Sequence, residues 1–131
     1  MYVEKKHHFG CGVQCLSYVI GKPSSAIRKL TQDNYPDGPE IVSILKNMGF
    51  KIRTPFRSSI SRSGRQNIVI TPSLNTPSEF HFCVIWYDNG IKCWDPVKSK
   101  QKKRYVSRNK KSLQPNETII TSWTSVIEII P

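Results

Sequence analysis

The sequence predicts an α+β fold in which helices come first and an antiparallel sheet follows. Before Gly49, apolar residues recur at helical intervals, whereas after it short stretches alternate or run apolar as strands do. Asp88-Asn89-Gly90 separates two of these stretches and is typical of a hairpin turn, which joins antiparallel strands. Segregated helices and strands of this kind indicate an α+β layout.

Three helices are expected in the first half of the chain. The first runs from about Cys11 to Ile20, and Gly21 is its C-terminal stop. Pro23-Ser24-Ser25 opens a second, short helix over Ala26 to Thr31. Asp37-Gly38-Pro39-Glu40 has the spacing of a capping box and leads into a third helix that ends at the next glycine.

The rest of the chain is expected to form short strands. Its apolar or alternating stretches are Phe50–Arg53, Asn67–Thr71, Phe80–Tyr87, Ile91–Asp95, Tyr105-Val106 and Val126–Ile130. We expect the last two to be edge strands. The polar, serine-rich stretch Arg57–Arg65 is expected to be a loop.

Length and composition predict a single globular domain over residues 1–131, with 37% hydrophobic residues and 10% aromatic ones. The chain has no apolar run near the roughly 20 residues that cross a membrane. Residues 1–8 lack the apolar core of a signal peptide. A cytoplasmic protein with reduced cysteines is therefore expected.

The formal net charge of +11 is concentrated in two segments. Lys98–Lys111 holds eight basic residues and no acid, and Lys51–Arg65 holds five, again without an acid. Such segments are either solvated loops or sites for an anionic partner, nucleic acid or acidic protein. The candidate residues for that partner are Lys98, Lys100, Lys102, Lys103 and Arg104.

Cys11 stands between two glycines at the start of the first predicted helix. Unpaired backbone N–H groups and the helix dipole at that position favour a thiolate. A neighbouring imidazole can take the thiol proton, and a carboxylate can orient that imidazole. His81 and Asp95 are the candidates for these two roles, and Gly10 and Gly12 would let a substrate approach the sulfur closely.

The length of the hairpin loop decides whether His81 and Asp95 can meet. A two-residue loop places Val84 opposite Asp95 and turns His81 to the other face of the sheet. A three-residue loop, Asp88-Asn89-Gly90, places Cys83 opposite Asp95 and makes His81 its diagonal neighbour on the same face. The catalytic interpretation therefore requires a three-residue loop or an equivalent bulge.

The chain resembles the bacteriocin-processing, double-glycine-leader peptidases, which are papain-like cysteine proteases. The resemblance starts with a C-G-x-x-C-L motif and continues in order along nearly the whole chain. Its segments are Cys11-Gly12-Val13-Gln14-Cys15-Leu16, Asp37-Gly38, Met48-Gly49-Phe50-Lys51, His81-Phe82-Cys83-Val84-Ile85, Asp95-Pro96 and Trp123.

This resemblance implies a papain-like fold and a cysteine peptidase that cleaves a peptide or isopeptide bond through a thioacyl intermediate. It implies Cys11 as nucleophile, His81 as general base and acid, and Asp95 as the residue that orients His81. The family usually has an oxyanion-hole glutamine six residues before the cysteine, where this chain has Lys5. Lys5 and Gly12 are the oxyanion-hole candidates, and acyl transfer to an acceptor other than water would use the same residues.

The principal alternative is a peptidase-like binding module, weak or inactive in catalysis, that holds an anionic partner through its basic segments. A nucleic-acid-associated protein with an incidental triad is a third interpretation. The four cysteines, spaced C-x3-C and C-x9-C, match no tight zinc knuckle, so neither a metal nor another cofactor is expected. Cys15, Cys83 and Cys93 are expected in the core.

Overall fold

A computed structural model describes residues 10–54 and 60–130 of the chain. Within these ranges the chain forms three helices followed by seven strands, which confirms the α+β prediction. The elements are α1 (Cys11–Ile20), α2 (Ser24–Arg28), α3 (Gly38–Asn47), β1 (Lys51–Arg53), β2 (Asn67–Pro72), β3 (Phe80–Tyr87), β4 (Ile91–Trp94), β5 (Arg104–Val106), β6 (Glu117–Ile119) and β7 (Ser125–Ile130).

The first helix has the predicted bounds. It follows Gly10, which is extended, and it ends at Gly21, whose φ of 82° is left-handed. The Gly21 N–H donates to the carbonyl oxygen of Ser17 at 2.9 Å and so closes the last turn. Val13 and Leu16 are fully buried, so this helix is held by its apolar face.

The second helix begins and ends earlier than Ala26 to Thr31. The Pro23 carbonyl already accepts from the Ala26 N–H at 3.0 Å, which starts the helix before Ala26. At the other end, the Thr31 hydroxyl donates to the Arg28 carbonyl at 3.0 Å. A threonine side chain thus takes the acceptor that another helical turn would need.

The third helix is capped at its start, although the predicted capping box is only half formed. The Asp37 carboxylate accepts from the Glu40 N–H at 2.9 Å. The Glu40 carboxylate accepts from the backbone N–H of Gln32 at 2.8 Å. Glu40 therefore ties the segment that precedes the helix to the helix itself.

Five strands form one antiparallel sheet in the order β1-β7-β2-β3-β4. The prediction that Val126–Ile130 is an edge strand is wrong, since β7 lies between β1 and β2. Ile127 and Ile129 are buried under the helices, and Glu128 between them is only 4% exposed. Burial on both faces is typical of an interior strand.

A second, two-stranded sheet pairs β5 with β6 in parallel. The sequence predicts β5 at Tyr105-Val106, but β6 was not expected because Glu117-Thr118-Ile119 is short and largely polar. The described part of the loop Arg57–Arg65, residues 60–65, contains no helix or strand, and its first three residues lie outside the described ranges.

The five-stranded sheet is buried on both faces. The helices pack on one face, where Val84 of β3 joins Leu16 and Ile41 in one apolar cluster. On the other face Cys83 and Ile85 form a second cluster with Tyr105, Ile120 and Trp123. Strand β3 therefore contributes to both layers. None of the described helices is long and apolar enough to cross a membrane.

Candidate functional site

Cys11 is half-buried at the first position of α1, beside the beginning of β3. This placement follows from the packing of α1 on β3 through their buried apolar residues. The Cys11 sulfur accepts a hydrogen bond from the Phe82 backbone N–H at 3.4 Å. The Gly12 N–H and the His81 side chain are also close enough to lower the pKa of this sulfur.

The hairpin has the three-residue loop that the catalytic interpretation requires. Tyr87 pairs with Ile91, which leaves Asp88-Asn89-Gly90 as the loop. Asn89 has a φ of 53° and Gly90 a φ of 128°, the backbone conformations that Asn and Gly adopt most readily. The register continues through Val84 opposite Trp94 and so aligns Cys83 with Asp95, as predicted for this loop.

His81 and Asp95 are in direct contact. The distance between His81 Nε2 and Asp95 Oδ1 is 2.8 Å, and both side chains are largely buried. Asp95 Oδ1 also accepts from the Val97 N–H at 2.9 Å, and Oδ2 accepts from the Tyr105 N–H at 2.8 Å. The hairpin and β5 together fix the carboxylate, which in turn fixes the orientation of the imidazole.

These contacts favour the charged forms of both Cys11 and His81. Burial alone would raise the pKa of the Cys11 thiol, but hydrogen bonds from His81 and the Phe82 N–H lower it below its usual value. Burial would lower the pKa of His81, but the hydrogen bonds to Asp95 and Cys11 raise it to about 10. The arrangement therefore favours a thiolate–imidazolium pair beside the Asp95 carboxylate.

Cys11 and His81 both line an open cleft with a volume of about 440 Å³. One wall consists of the α1 N-terminus and Tyr35, and the other consists of the loops before β3 and after β4. Tyr35 and Phe80 line the cleft and are 67% and 72% exposed. Large apolar rings left in water at a cleft are suited to contact a ligand.

The two glycines beside Cys11 are packed against the segment before α3. A Cβ atom at Gly10 would collide with the Asn34 carbonyl oxygen, and one at Gly12 would lie 3.0 Å from Pro36 Cγ. The segment before α3 therefore occupies the space where a side chain at Gly10 or Gly12 would lie, while Gly10 still lines the cleft beside Cys11. Lys5, the other oxyanion-hole candidate beside Gly12, lies outside the described residues.

The basic candidates divide into two groups. Lys98 and Lys102 line the cleft together with Cys11 and His81. Lys100 and Lys103 are exposed and do not belong to the described lining, and Arg104 is half-buried in β5. The structure thus places two of the five basic candidates in the lining of the cleft that contains the candidate nucleophile.

All four cysteines are free thiols. Cys15 and Cys83 are fully buried, as predicted, whereas Cys93 is only half-buried and packs at the margin of the second apolar cluster. Within the described ranges, His81, Cys83 and Asp95 form a group whose potential metal-ligand atoms lie within 4.8 Å of one another. In the structure, the His81 and Asp95 atoms of this group bond to each other, and zinc usually takes four protein ligands in a structural site.

Sequence reasoning missed several parts of this site. It did not identify Tyr35 or Phe80 as cleft residues, and no local pattern signals that these aromatic side chains stay exposed. It also missed the backbone N–H groups of Phe82, Val97 and Tyr105, which any residue except proline could provide. Only the tertiary structure reveals such backbone donors.

The chain was compared with protein-family models, curated protein sequences and solved structures. No family model, curated protein or solved structure matches it.

Proposed function

We propose that this protein is a papain-like cysteine peptidase with Cys11 as nucleophile, His81 as general base and acid, and Asp95 as the residue that orients His81. One observation carries the proposal. His81 uses Nε2 to bind Asp95 at 2.8 Å, which leaves Nδ1 as the ring nitrogen for the Cys11 sulfur. A thiol, imidazole and carboxylate in that sequence form the constellation of acyl-transfer catalysis.

In the proposed reaction, the Cys11 thiolate attacks the carbonyl carbon of the scissile bond and forms a C–S bond. The imidazolium of His81 donates its proton to the leaving nitrogen as the C–N bond breaks. Neutral His81 then takes a proton from water, which attacks the thioester and releases the acid. The thiolate–imidazolium pair is restored, and Asp95 keeps the ring oriented in both steps.

The start of α1 supports the stabilisation of the oxyanion. Within the described residues, no side chain caps the helix, so the backbone N–H of Cys11 is free of a side-chain acceptor. N–H groups at this position bind negative charge that develops on a carbonyl oxygen, and removal of one such donor reduces kcat by about 10²–10³. The Gly12 N–H acts on the sulfur instead and helps to lower the pKa of the thiol.

The test is digestion of a peptide library of diverse sequence, with the new termini identified by mass spectrometry. We expect the wild type to cleave a defined subset of the peptides, and Cys11→Ala to cleave none. Cys93→Ala is the matched control, because Cys93 is also a partly exposed thiol but does not line the cleft. It should retain the wild-type pattern.

Two outcomes would contradict the peptidase proposal. One is a wild-type protein that leaves every peptide intact, and the other is cleavage that survives Cys11→Ala. The first outcome, together with salt-dependent binding of a polyanion, would instead support the binding module predicted from the basic segments.

A further inference from the structure

We propose that the substrate is an acidic peptide, selected by Lys98 and Lys102, which would bind a carboxylate side chain near the scissile bond. This inference rests on the proposed peptidase function and adds a substrate class to it. Both lysines line the same cleft as Cys11 and His81. A carboxylate that reaches them is therefore close to the reacting bond.

The loop that carries the two lysines is fixed at both of its ends. At its start, the Val97 N–H donates to Asp95 Oδ1 at 2.9 Å. At its end, the Asn75 side chain forms two hydrogen bonds with the backbone of Lys103, both of 2.8 Å. Because Asp95 also holds His81, one carboxylate sets the position of the catalytic imidazole and of the lysine loop.

The middle of this loop is also ordered by hydrogen bonds. The Lys102 N–H donates to the Ser99 carbonyl at 3.2 Å, and the Asn116 amide donates to the Lys102 carbonyl at 3.0 Å. The backbone of the lysines is thus held in place while their side chains can extend into the cleft. Such preorganisation reduces the entropy lost when a ligand binds.

Among the residues that the structure describes, no carboxylate pairs with Lys98 or Lys102. Glu79 is the one acidic residue among the described lining residues, and it too forms no ion pair there. Lys100 and Lys103 on the same loop add to the positive potential at the cleft.

The surroundings of the lysines favour a peptide over a nucleic acid. The cleft of about 440 Å³ has room for a few residues of extended chain. Tyr35 and Phe80 provide apolar surface within it for neighbouring side chains. The two cations also line the same cleft as the nucleophile, whereas a polyanion would be held best by a continuous outer surface.

The test compares cleavage of peptide pairs that differ only by Glu or Gln at positions flanking the bond cut by the wild type. We expect kcat/KM to be at least about tenfold higher for the Glu member, since two cations act on one carboxylate. The double variant Lys98→Glu/Lys102→Glu should abolish or reverse that preference. The control Lys46→Glu/Lys51→Glu has the same change in net charge away from the cleft and should keep the preference.

A second measurement shows whether the variants retain an intact nucleophile. Iodoacetamide is neutral and iodoacetate is an anion of similar size. The cleft variant should keep the wild-type rate of Cys11 alkylation by iodoacetamide and lose at least about threefold in its rate with iodoacetate at low salt.

The outcomes separate the two proposals. Cleavage by the wild type without a Glu preference, or a preference that survives Lys98→Glu/Lys102→Glu, overturns the acidic substrate and leaves the peptidase intact. Absence of any cleavage overturns both. Binding of a single-stranded oligonucleotide that depends on these two lysines, without a Glu preference in cleavage, identifies the lysines as a nucleic-acid site instead.

Discussion

At the scale of single residues, Cys11 and His81 depend on each other for their charge. The pKa of the thiol is lowered by the imidazole and by the Phe82 N–H, and that of the imidazole is raised to about 10 through Asp95 and the thiolate, against the opposing effect of burial. Between these two titrations the pair is zwitterionic. Removal of either member leaves the other partly buried without its counter-charge.

The pH dependence of Cys11 alkylation follows from these directions. A lowered pKa keeps more of the thiol ionised as the pH falls, so the rate with iodoacetamide should decline less steeply from pH 8 to pH 6 than that of a model thiol. A model thiol loses roughly two orders of magnitude over the same interval. The measurement is the second-order rate constant at each pH, with N-acetylcysteine as reference.

His81→Ala should reduce the alkylation rate at pH 6 by at least about tenfold. Burial then raises the pKa of the Cys11 thiol without the imidazolium that otherwise lowers it. Phe80→Ala is a suitable control because Phe80 lines the same cleft and is largely exposed. A wild-type profile parallel to that of N-acetylcysteine would show that no thiolate–imidazolium pair forms.

The three residues of this constellation were predicted from their types and from the length of one loop. The turn Asp88-Asn89-Gly90 restricts the hairpin to a few registers, and one of these brings His81 to Asp95. The neighbours of Gly10 could not be predicted in the same way. A glycine in a sequence shows that space is needed, but it does not show whether substrate or the chain's own backbone fills that space.

At the scale of elements, the segment before α3 forms a wall of the site. Its backbone packs on Gly10, it carries Tyr35 into the cleft, and the Glu40 side chain holds it to α3 through the Gln32 N–H. The start of α3 therefore matters to the cleft as well as to the helix.

Asp37→Ala should lower the free energy of unfolding by about 1 kcal/mol, because the Glu40 N–H loses its capping acceptor. Asp37→Asn, which keeps an acceptor oxygen, should retain most of the stability. Urea unfolding of the three proteins provides the comparison. Equal stability of Asp37→Ala and wild type would show that the cap contributes nothing to folding.

Local sequence signals predicted where some elements begin and end. They did not predict which strands lie beside one another in the sheets. The bounds of α1 follow from two glycines, and the β3–β4 hairpin follows from its turn. The interior position of β7 depends on pairing with β1 and β2, residues distant in sequence. The parallel partner of β5 could not be predicted for the same reason, since no turn joins parallel strands.

At the scale of the whole molecule, a net charge of +11 on 131 residues opposes compaction. Among the described residues, one buried carboxylate faces two arginines: Glu128 lies 3.0 Å from Arg65 and 3.8 Å from Arg53. This cluster joins β7 to β1 and to the segment before β2. Most of the excess basic residues lie elsewhere and are exposed to solvent.

The free energy of unfolding should therefore increase when NaCl is raised from 10 mM to 150 mM, by an amount on the order of 1 kcal/mol, because salt screens the repulsion. Urea titrations at the two salt concentrations measure the change. The control Lys46→Glu/Lys51→Glu, whose net charge is lower by four, should respond less. A decrease of stability with salt would mean that attractive pairs outweigh the repulsion.

The hydrogen bond from the Phe82 N–H to the Cys11 sulfur joins positions 71 residues apart in sequence. The carboxylate that orients the imidazole is held by Tyr105, still further along the chain. A ribosome must therefore have delivered the chain beyond Phe82 before the nucleophile can contact its partners on β3. Until then Cys11 is an ordinary thiol. The growing or unfolded chain therefore has an unactivated cysteine, which becomes nucleophilic only when the fold forms.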